Sequence, residues 1–169
     1  MILKQGRDGE KVVGQYLDLL RDDHSRIFHD LLGDNFNLDH VLISPKGVYV
    51  FETKTYSKPI KGQAVIEYNG KELKYNRRIP DDKPLIQVKA ASSWLENLLF
   101  ESTGKKFKIK PVVLFPGWFI ETTPEGKDAD IWVLNPKALP SFIKNQPDSV
   151  SCSDVMLVAF HLSRFIRSN

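Results

Sequence analysis

The spacing of apolar side chains changes several times along the chain, and each change marks an element. In residues 7–21 (RDGEKVVGQYLDLLR), Val12, Val13, Tyr16, Leu17 and Leu20 recur at three- and four-residue intervals. That spacing predicts an amphipathic helix, despite Gly14. Residues 25–31 (SRIFHDL) read as a short strand, and 38–44 (LDHVLIS) and 47–54 (GVYVFETK) as two stronger ones. SPKG joins the latter two as a tight turn, with Pro45 presetting φ and Gly47 supplying a permissive backbone. Residues 62–68 and 71–76 flank Asn69-Gly70, a strong hairpin signal. Pro84 suits a first helical position, which predicts a helix over 84–102 that stops at Gly104. Residues 109–115 and 130–134 have the composition of core strands, and helices are expected over 136–145 and 153–167.

The resulting order is helix, three strands, a hairpin insert, helix, two strands and two helices. Such an order predicts an α/β fold with a central mixed sheet flanked by helices. The 84–102 helix is expected to cross over from a strand of the hairpin to a later parallel strand.

Composition narrows this picture only a little. A chain of 169 residues with 41% apolar side chains is long enough for one domain with a proper core. The net charge of +3 permits a nucleic-acid partner without requiring one. The single cysteine, Cys152, excludes an intramolecular disulfide, and no Cys/His cluster has zinc spacing. No apolar run reaches the roughly 20 residues of a membrane span, and the N-terminus does not resemble a signal peptide. The expected setting is soluble and cytoplasmic, with no membrane partner.

Charged residues in the two strong strands alter the reading more. Glu52 and Lys54 lie two apart, so both point to one face of the third strand. Asp39 opens the second strand, where aspartate is disfavoured. With Pro45 and Lys46 as a two-residue loop, Asp39 faces Glu52 directly, at a Cβ separation of roughly 5 Å. Two carboxylates there repel unless a cation lies between them. Mg²⁺, or Mn²⁺ in its place, is such a cation, since it takes one or two carboxylates, waters and phosphate oxygens. Lys54 would then activate a water or neutralise charge on a phosphate. SPKG also suits a type I turn with Gly47 as a bulge, and that register turns Asp39 away from Glu52. Glu10, in the first helix, and Gln87, in the first turn of the crossover helix, are accessory candidates.

Taken together, Gly6-Arg7-Asp8-Gly9-Glu10, Leu38-Asp39-His40-Val41, Gly47 to Lys54, and Pro84 with Gln87 resemble the nuclease-related domain (NERD) family of the PD-(D/E)XK nuclease superfamily. The resemblance runs from about Gly6 to Leu134. It implies an αβββαβ restriction-endonuclease-like core with an inserted hairpin, in a single domain over 1–169. The core would occupy about 6–135 and a C-terminal helical extension about 136–169. It also implies Mg²⁺-dependent hydrolysis of phosphodiesters, in DNA, with Asp39 and Glu52 as metal ligands and Lys54 as the catalytic lysine. Two positions depart from the family pattern: Leu38 replaces the proline that names the superfamily, and Ala91 stands where related nucleases carry a tyrosine.

The remaining polar residues have plainer expectations. His40 is expected to point away from Asp39 and to be structural, His161 to be packed or partly exposed, and His24 and His29 show no partners in the sequence. Lys74, Arg77 and Arg78 are candidates for phosphate contact; the lysines at 105, 106, 108 and 110 are expected on a solvated loop leading into a strand, the alternative being that with Lys71 they extend that rim. Two other functions compete with a nuclease. One is a nucleic-acid-binding or protein-interaction module that keeps the fold without turnover. The other is a structural domain in which Lys54 bridges Asp39 and Glu52 permanently.

Overall fold

The computed structural model describes residues 2–35 and 37–168, with side chains described from Asp8 onward. The elements are α1 (Ile2–Asp18), β1 (Arg26–Leu32), β2 (Asn37–Ser44), β3 (Gly47–Thr53), β4 (Val65–Tyr68), β5 (Leu73–Tyr75) and β6 (Pro80–Asp81). After them come α2 (Lys83–Thr103), β7 (Ile109–Leu114), β8 (Phe119–Thr122), α3 (Pro124–Lys127), β9 (Trp132–Leu134), a 3-10 turn at Pro136–Ala138, α4 (Leu139–Lys144) and α5 (Cys152–Ser168). The expected α/β architecture, a mixed central sheet flanked by helices, is present. Among the described residues no helix is long and apolar enough to cross a membrane.

The central sheet has five strands in the order β1-β2-β3-β7-β9. The first three are antiparallel neighbours, and β7 and β9 join parallel to β3. Its strands are apolar on both faces because both faces are covered. Leu42, Tyr49, Phe51, Val112 and Leu114 pack with Val13 and Leu17 of α1 and with Leu139 and Ile143 of α4. On the opposite face Val41, Ile43, Val48, Val50 and Val113 meet Leu85, Val88 and Leu95 of α2 and Val155, Val158 and Leu162 of α5. Gly104 ends α2 at φ 75, a left-handed cap that suits glycine.

The crossover differs from expectation. Helix α2 leads into β7, which pairs with β3 and not with a strand of the hairpin. The hairpin belongs to a second, four-stranded sheet of order β6-β5-β4-β8, in which β4 and β8 are parallel. Strands β6 and β8 have no counterpart in the sequence reading. Strand β8 is only four residues long with no fully buried side chain, so its pairing with β4, not its own pattern, makes it a strand. The Asn69-Gly70 turn is also longer than a two-residue loop, since Tyr68 pairs with Leu73. The Asn69 carboxamide oxygen accepts the amides of Lys71 and Glu72 at 2.9 Å each and draws both residues into the turn.

The tight turn between β2 and β3 takes the two-residue register, with Ser44 opposite Gly47 and His40 opposite Phe51. The Ser44 hydroxyl accepts the Lys46 amide at 3.2 Å and donates to the Gly47 carbonyl at 3.1 Å. Gly47 sits at φ 133, a conformation that few other residues adopt. This closure carries the register up both strands to the carboxylates at their far end.

Candidate active site

Asp39 and Glu52 occupy the next facing positions beyond His40 and Phe51 in that ladder. The ladder with β7 continues past the end of β3, where the Lys54 amide donates to the Leu114 carbonyl at 2.9 Å. Lys54 therefore keeps strand geometry and shares a face with Glu52. Its ammonium lies 3.4 Å from Glu52 Oε1, and the two side chains are only 21% and 18% exposed. The same ammonium donates to Gln87 Oε1 at 2.6 Å, which ties β3 to the first turn of α2. Asp39 is fixed differently: its Oδ2 accepts the backbone amide of Thr53 at 2.8 Å.

The electrostatics follow from burial with too little compensation. Desolvation, then the negative charge of Glu52, pushes the Asp39 carboxyl up to about 7, against the Thr53 hydrogen bond. Glu52 is also raised, by burial first, with Lys54 opposing and Glu10 adding to the shift. Glu10 is raised by burial and by Asp30. Asp30 falls opposite Asp39 in the β1–β2 ladder, between the His29–His40 and Leu31–Leu38 pairs. It holds φ 52, an uncommon conformation for a side-chain-bearing residue. Asp39 thus feels Glu52 and Glu10, Glu52 feels Glu10, and Glu10 in turn feels the exposed Asp30.

The donor set suits a hard divalent cation. Carboxylate oxygens beside an ammonium fit Mg²⁺ or Mn²⁺, and the site offers neither thiolate nor imidazole for a softer metal. Among the described residues no group of three or more His, Cys, Asp or Glu side chains is gathered closely enough to hold an ion.

The nuclease-related domain family matches residues 5–116.

This chain belongs to the nuclease-related domain family.

The match covers every member of the Asp39–Glu52–Lys54 group together with Glu10 and Gln87, and it ends at residue 116, short of the expected Leu134. No curated protein matches the sequence significantly. Among solved structures, SfsA of Pyrococcus furiosus in complex with Ca²⁺ is similar at 16% identity with a TM-score of 0.39. The similarity covers 78% of this chain and 55% of that one, so the chain spans about half the length of that structure.

The other candidates fall in several places. In the NERD helix start, the side chain of Arg7 lies outside the described residues. The three candidates for phosphate contact separate. Lys74 faces Glu67 across the β4–β5 ladder, and Arg77 pairs with the same Glu67 at 3.3 Å. Arg78 alone turns toward a cleft with Lys58 and Lys61, two lysines that the sequence reading passed over although they follow FETK closely. Three of the four lysines from 105 to 110 make contacts elsewhere. Lys105 pairs with Asp154 at 2.8 Å, Lys106 lies over Phe100, and Lys110 lies over Trp132.

His29 does have a partner. Its Nδ1 lies 2.7 Å from His40 Nδ1, and its Nε2 lies 3.9 Å from Asp18. His40 is buried on the α1 face, away from Asp39, as expected. The pairing was not legible in the sequence because it depends on the register between β1 and β2. His24 Nδ1 lies 3.9 Å from Cys152 Sγ at the surface.

Proposed function

We propose that this protein is a metal-dependent nuclease that hydrolyses phosphodiester bonds, in DNA. The observation that carries this reading is the meeting of Asp39, Glu52 and Lys54 on one half-buried face, with Gln87 holding the lysine. Asp39 and Glu52 would hold Mg²⁺ or Mn²⁺. When bound, such a cation lowers the pKa of a water and neutralises charge on the phosphate. The protein's own groups supply the rest. The Thr53 amide orients Asp39, so one carboxylate oxygen is directed while the other is left for a ligand. Lys54, held between Glu52 and Gln87, presents its ammonium to a phosphate oxygen or an attacking water. Desolvation of both carboxylates strengthens their attraction for a cation and for each of its waters.

The test is cleavage of linear, circular and single-stranded DNA in Mg²⁺ or Mn²⁺ by the wild type and by Glu52→Gln, Asp39→Asn and Lys54→Ala. Metal-dependent cleavage that drops by at least about a hundredfold in each variant supports the reading. Cleavage at wild-type rate in any of the three removes that residue from the chemistry, and in all three removes the proposal.

A second reading rests on the small number of protein ligands: a nucleic-acid-binding module with the nuclease fold and no turnover. Its signature is DNA binding whose salt dependence reports a few phosphates, with no product under any metal.

A further inference from the structure

Beyond Lys54 the chain leaves the sheet and forms one wall of a cleft of about 610 Å³. The opposite wall is the end of the β5 strand and the turn that follows it. Lys58, Lys61 and Arg78 line this cleft, and no carboxylate does. That separates it from the neighbouring surface around Lys74, which Glu67, Glu72 and Glu121 line as well.

Local structure places two of the three cations, Lys58 and Arg78, while Lys61 is exposed. The Lys58 side chain lies across Gly117, which sits at φ 81, and a Cβ on that glycine would run into the lysine ammonium. Arg78 follows two successive side-chain-bearing residues in the left-handed region, Asn76 at φ 51 and Arg77 at φ 59. Such a turn is strained and persists only when its surroundings enforce it. Here Asn76 does so: its backbone amide donates to the Val65 carbonyl at 2.8 Å, and its side-chain oxygen accepts the Val65 amide at 2.9 Å. The floor is a fixed aromatic block. Trp118 Nε1 donates to the Tyr56 carbonyl, and the Tyr75 ring stands edge-on to Tyr56 at 5.1 Å.

Two exposed apolar side chains accompany the cleft, one in its lining and one beside Arg78 in the chain. Ile60 lines the cleft and is fully exposed, and Ile79, next to Arg78, is 83% exposed. An isoleucine left wholly in water beside cations has no packing role within the fold. Nucleic-acid-binding proteins insert apolar side chains such as isoleucine between base steps and unstack them, while cations hold the phosphates.

We infer that this cleft binds one nucleic-acid strand leaving the active site, with Lys58, Lys61 and Arg78 on its phosphates and Ile60 and Ile79 against its bases. The inference rests on the nuclease reading for the position of the active site. Ser57 opens the cleft three residues after Lys54, so the two Cα atoms lie at most about 11 Å apart, at 3.8 Å per residue. That is about three nucleotides at a 3.4 Å rise. A strand with its bases free fits this surface better than an intact duplex, whose bases are stacked away from the isoleucines.

The test is fluorescence anisotropy of a labelled 30-nucleotide single strand and of its duplex, in EDTA, across a range of salt. The proteins are wild type, Lys61→Glu/Arg78→Glu, Ile60→Ser/Ile79→Ser, and Lys144→Glu, on the exposed side of α4, as a charge control. Thermal melting verifies that each is folded, and Lys61→Ala replaces the charge reversal if that variant does not fold. The wild type is expected to bind the single strand more tightly than the duplex. The charge-reversed variant is expected to lose at least tenfold in affinity, with a salt slope lower by about 1.4, from roughly 0.7 per phosphate contact. The isoleucine variant is expected to lose most of the preference for the single strand, and the control to stay within twofold. Wild-type affinity in the charge-reversed variant overturns the inference, as does an equal loss in the control or the absence of any wild-type binding. A preference unchanged by the isoleucine substitutions overturns the wedge. Because binding is read without metal, the two proposals fail separately. Strand binding through the cleft without cleavage under any metal sinks the nuclease reading alone. Cleavage and binding unaffected by charge reversal sink the cleft alone.

Discussion

Lys54 Nζ donates to Gln87 Oε1 at 2.6 Å, across thirty-three residues of sequence. The contact joins the end of β3 to the first turn of α2 and holds the ammonium beside Glu52. If Lys54 acts on the phosphate or the water, Gln87 is its positioning residue. Gln87→Ala is then expected to lower the cleavage rate by about tenfold to a hundredfold, the range associated with small misplacements of a reacting group. In Lys54→Ala the same substitution should cost little more, since its partner is gone. A double-mutant cycle on cleavage rates measures this, and strictly additive losses would show that the two side chains act independently.

Asp39 predicts a conflict between stability and function. Its folded pKa of about 7 lies above the ordinary value of 3.8. Between those values the folded state keeps a proton that the unfolded chain gives up, so stability falls as pH rises from about 4 to about 7. Asp39→Asn retains an acceptor for the Thr53 amide and removes the charge. It is expected to stabilise the protein in EDTA at pH 8, by a few kcal/mol at most at about 1.4 kcal/mol per pK unit, and so to raise the melting temperature. Mg²⁺ should stabilise the wild type and leave the asparagine variant nearly unchanged. Melting curves from pH 4 to 8, with and without metal, report both effects.

His40 gives the opposite slope. Burial, and then His29, lowers it to about 4 from an ordinary 6.5. As pH falls through that interval the unfolded chain binds a proton that the folded state refuses, so this contribution to stability is lost toward acid. The expected observation is a His40 ring that stays neutral at pH 5.5 in the folded protein. Ring chemical shifts by nuclear magnetic resonance across pH 4 to 8 check it, and a midpoint near 6.5 would refute the buried pair.

Gly9 supports the site from below. It is buried in α1, and a Cβ there would run into the Thr55 methyl, one residue after Lys54. Gly9→Ala should destabilise by about 1–3 kcal/mol, as overpacking does, and shift Glu10 with it. Adding Thr55→Ser removes the obstructing methyl and should restore most of the loss. Denaturant midpoints of the single and double variants test this directly.

Much of this protein was written locally. The 3.6-residue period of α2, the doubly apolar runs of β2 and β3 and the left-handed stop at Gly104 all depend on near neighbours, and each is present close to its expected position; α1 also forms but spans 2–18 where 7–21 was expected, so Leu20 falls beyond its end. The site motif was legible for the same reason, since Glu52 and Lys54 share a face through strand alternation alone. Long-range pairing supplied the rest. The SPKG turn allowed two registers, and the Ser44 hydroxyl with Gly47 at φ 133 selected the one that aligns Asp39 with Glu52. The Lys54–Gln87 contact, the His29–His40 pair and the parallel match of β8 to β4 join residues whose own spacing carries no trace of each other. Periodicity records which face a side chain occupies. Only the packing of sheets and helices selects which distant side chain that face will meet.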